Sequence, residues 1–66
     1  MAVVKVIELV GSSTDGWEDA ARNALTGAAK SLHGIMKVEV MRWTAEVADG
    51  RIVSYQTEVK VSFVVD

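Results

Sequence analysis

Three side chains of this sequence have the chemistry to bind a small molecule: Gln56, Trp43 and Lys37. The amide of Gln56 offers both a donor and an acceptor, so it could bond the polar edge of a ligand. Trp43 offers a large aromatic face for stacking, and Lys37 could hold an anionic group such as a phosphate. Each also has a plainer interpretation: a glutamine or tryptophan in an interface between copies, and a lysine in a surface ion pair.

Catalytic motifs are absent from the sequence. It has no Ser/His/Asp set, no glycine-rich phosphate loop and no carboxylates clustered in an apolar setting, so we expect a protein that is not an enzyme. A divalent metal ion is an alternative ligand, because carboxylates supply the hard oxygens that calcium prefers, although their spacing matches no calcium loop. The acids concerned are Asp15, Glu18, Asp19, Glu46 and Asp49.

Gln56 belongs to a long alternating segment, Val53 to Val65. Its odd-numbered positions are apolar except for Thr57, whereas the even-numbered positions 54–62 are all polar. A period of two over this length indicates one extended strand with one dry face. Gln56 lies on the polar face, together with Ser54, Glu58, Lys60 and Ser62.

The first half of the chain predicts a strand and a helix. Val3–Val10 is apolar on both faces. This pattern predicts a strand that lies inside a sheet and ends at Gly11. Asp15 and Glu18 resemble a capping box, and Ser13 or Thr14 could cap instead. The helix is predicted to run to about Leu32, with Gly34 in a left-handed stop. Its apolar stripe consists of Trp17, Ala21, Ala24, Leu25, Ala28 and Leu32.

The second half predicts a hairpin. Ile35–Ala48 is the next strand, and the following Asp49-Gly50 is typical of a two-residue turn. Such a turn would put Trp43 opposite Gln56, on the same face as Lys37. A bulge near Thr44 to Val47, where the alternation breaks, would shift this register. The other opposed pairs would be Val38 with Val61, Val40 with Val59, and Glu39 with Lys60.

These elements predict one domain, residues 1–66, of the α+β class. Its β-α-β-β order gives a three-stranded antiparallel sheet that partly wraps one helix. A chain of 66 residues buries only about 60% of its unfolded surface, so its core alone is marginal. With no cysteine and one histidine, disulfides are excluded and a zinc site is not expected, which leaves self-association as the stabiliser.

Composition also bears on localisation and partners. No apolar run approaches the roughly 18 residues of a membrane span, and the interrupted segment Met1 to Val10 is interpreted as a strand rather than a signal peptide. The net charge of −2 offers no basic footprint for nucleic acid. We therefore expect a soluble cytoplasmic protein that binds neither nucleic acid nor membrane.

Five segments in order resemble the dodecin family over nearly the whole chain. They are Val6-Ile7-Glu8-Leu9-Val10-Gly11-Ser12-Ser13, Trp17-Glu18-Asp19-Ala20-Ala21, Val38-Glu39-Val40, Asp49-Gly50 and Tyr55-Gln56-Thr57-Glu58-Val59-Lys60-Val61-Ser62-Phe63. The resemblance implies a hollow homododecamer that binds flavin (FMN or riboflavin) without catalysis, for storage or buffering. It also implies flavin pairs at two-fold interfaces, with each ring stacked on a tryptophan and its polar edge contacted by a glutamine.

The residues that match these family positions are only partly retained. The family's glutamine falls on Gln56, but Lys37 stands where the stacking tryptophan is expected. The family's phosphate-side arginines fall on Thr44 and Val64, which leaves Arg42 as the only nearby guanidinium.

Two hypotheses follow from this partial match. In the first, a dodecamer holds flavin in a pocket built from Gln56, Trp43 and Lys37, with Arg42 nearby. In the second, a dodecin-like structural shell has lost flavin binding through the change at Lys37, and it could bind another ligand or a divalent ion.

Overall fold

A computed structural model describes residues 3–65 and has the predicted β-α-β-β order. Its elements are β1 (Val3–Ser13), α1 (Trp17–Ala29), β2 (Ile35–Ala48) and β3 (Arg51–Val65). Both pairings, β1 with β3 and β2 with β3, are antiparallel, which confirms the fold class. Within the described range no helix combines the length and hydrophobicity that a bilayer crossing needs.

The strand order in the sheet is β1-β3-β2, so β3 is central and β1 lies at an edge. The prediction that β1 lies inside the sheet is therefore wrong for the single chain. Its apolar pattern on both faces does not reflect burial within one protomer, because Val4, Val6 and Val10 on its outer face remain exposed.

Gly11 does not end β1, which continues to Ser13. Gly11 instead lies where α1 approaches the sheet most closely. A Cβ atom added at this position would lie 2.0 Å from the carbonyl oxygen of Ala20 and 2.9 Å from the Cβ of Ala24. A glycine is needed because the helix backbone occupies the space that any side chain would fill.

The start of α1 differs from the predicted capping box. Its N-cap is Gly16, which makes no side-chain cap bond. Ser13 links the loop to the helix instead: its Oγ accepts from the backbone N–H of Asp15 at 2.9 Å and donates to Asp19 Oδ2 at 2.7 Å.

The end of α1 comes earlier than predicted, at Ala29 rather than near Leu32. A turn follows, in which the N–H groups of Ser31 and Leu32 bond to the carbonyl of Ala28. Gly34 then adopts φ 70°, the left-handed conformation that was expected of it.

The core is narrow and lies where α1 crosses the sheet. The helix buries a stripe of alanines, Ala20, Ala24 and Ala28. Of these, Ala24 packs in one cluster with Val59 and Val61 of β3. Small side chains let the helix pack close to the sheet but bury little apolar surface. The molecule is elongated, 52 × 19 × 13 Å, and exposes 4798 Å². A compact monomer of this mass exposes about 4100 Å², so this elongated chain exposes more surface than a compact monomer would.

The hairpin turn forms as predicted, with φ values of 53° at Asp49 and 72° at Gly50. Such paired positive φ angles are those of a type I′ turn. At the far end of the hairpin, the predicted pairs Val38 with Val61, Val40 with Val59 and Glu39 with Lys60 are all observed. Between these two regions the register shifts, and the shift decides where the candidate site residues lie.

Candidate functional site

Gln56 lies on the outer face of the sheet, the face turned away from α1. Its neighbours across the sheet are Ser12 of β1 and Thr44 of β2. The side chain is half-buried, and its Nε2 donates to Ser54 Oγ at 2.9 Å and to Glu46 Oε1 at 3.2 Å. These two bonds orient the amide and leave its oxygen, which has no donor among residues 3–65, available to a ligand or a second copy.

Arg42 and Lys37 share the outer face with Gln56 but lie at different distances from it. Arg42 is paired with Glu58, so it is a diagonal neighbour of Gln56, about 7–8 Å away between Cα atoms. Lys37 is paired with Ser62, six residues further along β3. At about 3.3 Å per residue, roughly 20 Å separates Lys37 from Gln56. One chain cannot bring both side chains to one small ligand.

Trp43 does not face Gln56, and the predicted pairing is wrong. A register shift between Val40 and Arg42 makes Met41 an unpaired bulge residue, so Trp43 lies opposite Thr57 and Thr44 lies opposite Gln56. One extra residue moves all following side chains of the strand to the other face. Trp43 therefore lies on the helix side of the sheet, opposite to the face that carries Lys37.

Two further register shifts occur in this strand pair, between Ile35 and Lys37 and between Glu46 and Val47. The shift between Glu46 and Val47 falls within the segment where the broken alternation predicted a bulge. The shift at Met41 comes earlier and was not predicted, although the sequence carries a signal for it. The apolar positions of β2 change parity, from Val38 and Val40 to Trp43, Ala45 and Val47.

On the helix side, Trp43 belongs to a cluster of three aromatic rings. The centroids of Trp17 and Trp43 lie 5.7 Å apart, with the rings inclined at 37°. Tyr55 meets Trp17 edge to face at 4.8 Å. Such geometries favour aromatic pairing beyond the area that they bury. Helical spacing predicted that Trp17 lies in the apolar stripe of the helix, but it gave no signal for the contact between Trp17 and Trp43.

Trp17 is held in place by two hydrogen bonds. Its indole Nε1 donates to the backbone oxygen of Thr44 at 2.8 Å, and the Thr57 hydroxyl donates to the Trp17 carbonyl at 2.8 Å. Between the start of α1 and β2 an open cavity of about 410 Å³ remains beside these rings. Its lining is mainly apolar and consists of Trp17, Glu18, Ala21, Val40, Trp43 and Thr57.

The acidic residues considered for a metal ion are dispersed. Asp19 bonds to Ser13, Glu18 forms an ion pair with Arg22, and Glu46 accepts from Gln56. Across residues 3–65, no three His, Asp or Glu side chains come together as a metal site would require. Residues 3–65 of a single chain thus offer no assembled set of calcium ligands.

Comparison with known proteins agrees with this architecture. A calcium dodecin from Mycobacterium tuberculosis is 33% identical over 63 residues, which are 96% of this chain and 89% of that protein. A dodecin structure from Streptomyces davaonensis matches with a TM-score of 0.94 at 32% identity, over 98% of this chain and 96% of that one. A tryptophan-to-phenylalanine mutant of Thermus thermophilus dodecin matches with a TM-score of 0.95 at 32% identity, over 100% and 98%. The Dodecin family profile matches residues 3–66, and the chain therefore belongs to the dodecin family.

Proposed function

We propose that this protein is a non-catalytic flavin-binding and storage protein of the cytoplasm, which works as a hollow homododecamer. Membership of a family of small, oligomeric binding proteins supports this function. The observation that carries it further is the state of Gln56. Its amide is half-buried and oriented by Ser54 and Glu46, and its oxygen is unengaged among the described residues. A fixed amide of this kind suits the polar edge of a flavin ring.

The proposed pocket takes residues from two copies of the chain. Because Lys37 and Gln56 lie about 20 Å apart along the outer face, a ligand that meets both must lie between protomers. Trp43 is not part of the proposed pocket, because the bulge at Met41 puts the Trp43 side chain on the other face of the sheet. The pocket thus combines Gln56 with the cations Arg42 and Lys37 and lacks a stacking tryptophan from the described chain.

This composition predicts a preference between flavins. Without the aromatic platform, stacking contributes less to binding, whereas Arg42 and Lys37 can both attract a phosphate. FMN, which carries a phosphate, is therefore expected to bind more tightly than riboflavin, which does not.

Fluorescence quenching of FMN and riboflavin by the purified oligomer tests the proposal. Gln56→Leu should weaken both flavins by about tenfold, as expected for losing a buried hydrogen bond worth roughly 1.4 kcal/mol. Arg42→Gln should weaken FMN more than riboflavin. Arg51→Gln is the matched control, because this arginine lies at the hairpin tip, far from Gln56. Absence of quenching at micromolar flavin would refute flavin binding.

A second candidate is a shell that does not bind flavin and takes up a divalent ion. The named calcium dodecin relative and the lysine at position 37 favour it. Because residues 3–65 hold no acidic cluster, calcium ligands would have to come from several copies. Titration calorimetry of the oligomer with Ca²⁺ tests this candidate. The substitution Lys37→Trp is a second test of this candidate. If the parent protein does not bind flavin, the variant should gain flavin affinity.

A further inference from the structure

The bulge at Met41 brings a carboxylate to the side of Gln56. Without the bulge, the alternation of β2 would put Glu46 on the helix side of the sheet. With it, Glu46 lies on the outer face, where its strand partner is Ser54. Its Oε1 accepts from Gln56 Nε2 at 3.2 Å. The register shift that removes Trp43 from this face therefore gives Gln56 an acidic neighbour.

The amide nitrogen of Gln56 has two acceptors, and only one of them decides which way the amide points. The first is Ser54 Oγ, 2.9 Å from Nε2. A hydroxyl both donates and accepts, so Ser54 suits either orientation of the amide. The Glu46 carboxylate only accepts. If the amide turned over, its oxygen would face a carboxylate oxygen with no hydrogen between them. Glu46 therefore holds the amide nitrogen toward itself and the amide oxygen away.

Glu46 has no competing ion-pair partner within the part of the chain that the structure describes. The one ion pair between side chains of residues 3–65 joins Arg22 to Glu18 on the helix. The nearest cation on the same strand face, Arg42, lies four residues away, roughly 13 Å along β2. The Glu46 side chain is also exposed. An exposed acid with no cation beside it adds little to stability, so its contact with Gln56 serves to orient the amide.

The oriented amide presents an acceptor to the ligand. Both hydrogens of Gln56 Nε2 are used by Ser54 and Glu46, whereas the amide oxygen has no donor among residues 3–65. A site with a fixed acceptor favours a ligand that donates to it, because an analogue without the donor leaves the acceptor unpaired. On the polar edge of an oxidised flavin ring the imide N–H at N3 is the only donor. The carbonyls beside it are acceptors.

We propose that Glu46 is a positioning residue of the ligand site. It holds the Gln56 amide with its oxygen toward the ligand, and the site thereby selects a ligand that donates an N–H at that point. The inference rests on the flavin binding proposed above. It adds the atom that Gln56 recognises, which is the hydrogen on N3, and the residue that sets this preference without contacting the flavin.

Exchanging the two side chains tests the assignment in the assembled protein. Riboflavin is the probe, because it has no phosphate that an added charge would repel. In Gln56→Glu two carboxylates face each other, and riboflavin affinity, measured by fluorescence quenching, should fall about tenfold or more. Adding Glu46→Gln puts an amide at position 46, which can donate to the new carboxylate and leave its second oxygen for the ligand. Affinity should return to within about threefold of the parent.

A second variant avoids any added charge. Glu46→Ala, at an exposed position, should leave the oligomer intact by light scattering. The parent should bind riboflavin at least about tenfold more tightly than N3-methylriboflavin. In Glu46→Ala this ratio should fall about threefold or more, because the amide can then turn over and donate to a flavin carbonyl.

Glu39→Ala is the matched control. Glu39 is an exposed acid on the same face, but its strand partner is Lys60, roughly 13 Å along β3 from Gln56. The ratio of the two affinities should not change in this variant.

The outcomes separate this inference from the proposed function. In an oligomer that binds riboflavin, the role of Glu46 would be overturned by an unchanged ratio in Glu46→Ala. A double variant that binds no better than Gln56→Glu alone would also overturn it, because the ligand would then depend on the amide hydrogens of Gln56. Both results would leave flavin binding intact. A parent that quenches no flavin would refute flavin binding itself, and the role of Glu46 with it.

Discussion

The two halves of β3 have similar residues and opposite environments. Val59 and Val61 are 0% exposed under α1, whereas Ile52 and Val53 on the same strand are nearly half exposed. The helix has 13 residues and spans about 20 Å, and the strand has 15 and spans about 50 Å. One short helix cannot cover the whole sheet. The covered half holds the single chain together, whereas the other half of the strand has no helix over it.

The largest effect on stability is expected at Gly11, which lies under α1 in the covered part of the sheet. In Gly11→Val the new Cβ would meet the Ala20 carbonyl at 2.0 Å, and backbone cannot yield as a flexible side chain does. The helix must move away from the sheet, which we expect to cost about 3 kcal/mol or more. Urea unfolding of the oligomer at fixed protein concentration measures the loss. A midpoint equal to that of the parent would mean that the close approach does not stabilise the fold.

Gly27→Ala is the matched control for this substitution. Gly27 lies within α1, and a Cβ atom there meets nothing within 4 Å. Alanine is better suited than glycine to a helix interior, so stability should rise by about 0.5–1 kcal/mol.

An intermediate effect is expected when one apolar side chain is shortened to alanine in each half of β3. Val59→Ala removes a fully buried side chain and should lower the free energy of unfolding by about 2 kcal/mol. Ile52→Ala, in the uncovered half, should change the secondary structure little. It should raise the concentration at which the oligomer dissociates by about tenfold. Light scattering over a dilution series separates the loss of folding stability from the loss of association. Identical behaviour of the two variants would contradict the proposed difference between the two halves of β3.

The smallest effect is expected on the solvent side of the helix. Arg22 and Glu18 form an ion pair between side chains that are 67% and 80% exposed. Such pairs are screened by water and salt, so Arg22→Gln should change stability by no more than about 0.5 kcal/mol. Thermal melts at low and high salt give the measurement. A larger loss would indicate that Arg22 has a partner in another copy.

Strong local signals predicted much of the fold. Ile35–Ala48 has the predicted bounds, and Asp49-Gly50 forms the predicted turn, since only residues tolerant of positive φ fit it. β3 begins two residues before the predicted Val53. The candidate site was less predictable. Gln56 and Lys37 lie on the predicted face and about as far apart as the predicted hairpin register implied, whereas Trp43 lies on the other face.

The misplacement of Trp43 has a definite physical cause. Alternation assigns faces only while the ladder of hydrogen bonds stays in register, and one unpaired residue, Met41, reverses every assignment after it. The sequence of β2 shows its apolar residues changing from even-numbered to odd-numbered positions. Similar patterns arise, however, when an apolar residue is simply exposed. Only the pairing with β3 distinguishes the two cases.

Local sequence signals were enough to predict the elements, their order and the polar face that carries Gln56, because periodicity and turn chemistry act over a few neighbouring residues. Three other features follow from the tertiary structure: the edge position of β1, the need for glycine at position 11 and the tilted contact of Trp43 with Trp17. Each of these depends on contacts between segments distant along the chain. The tertiary structure also showed that α1 is too short for its sheet, so part of the hairpin has no helix over it in the single chain.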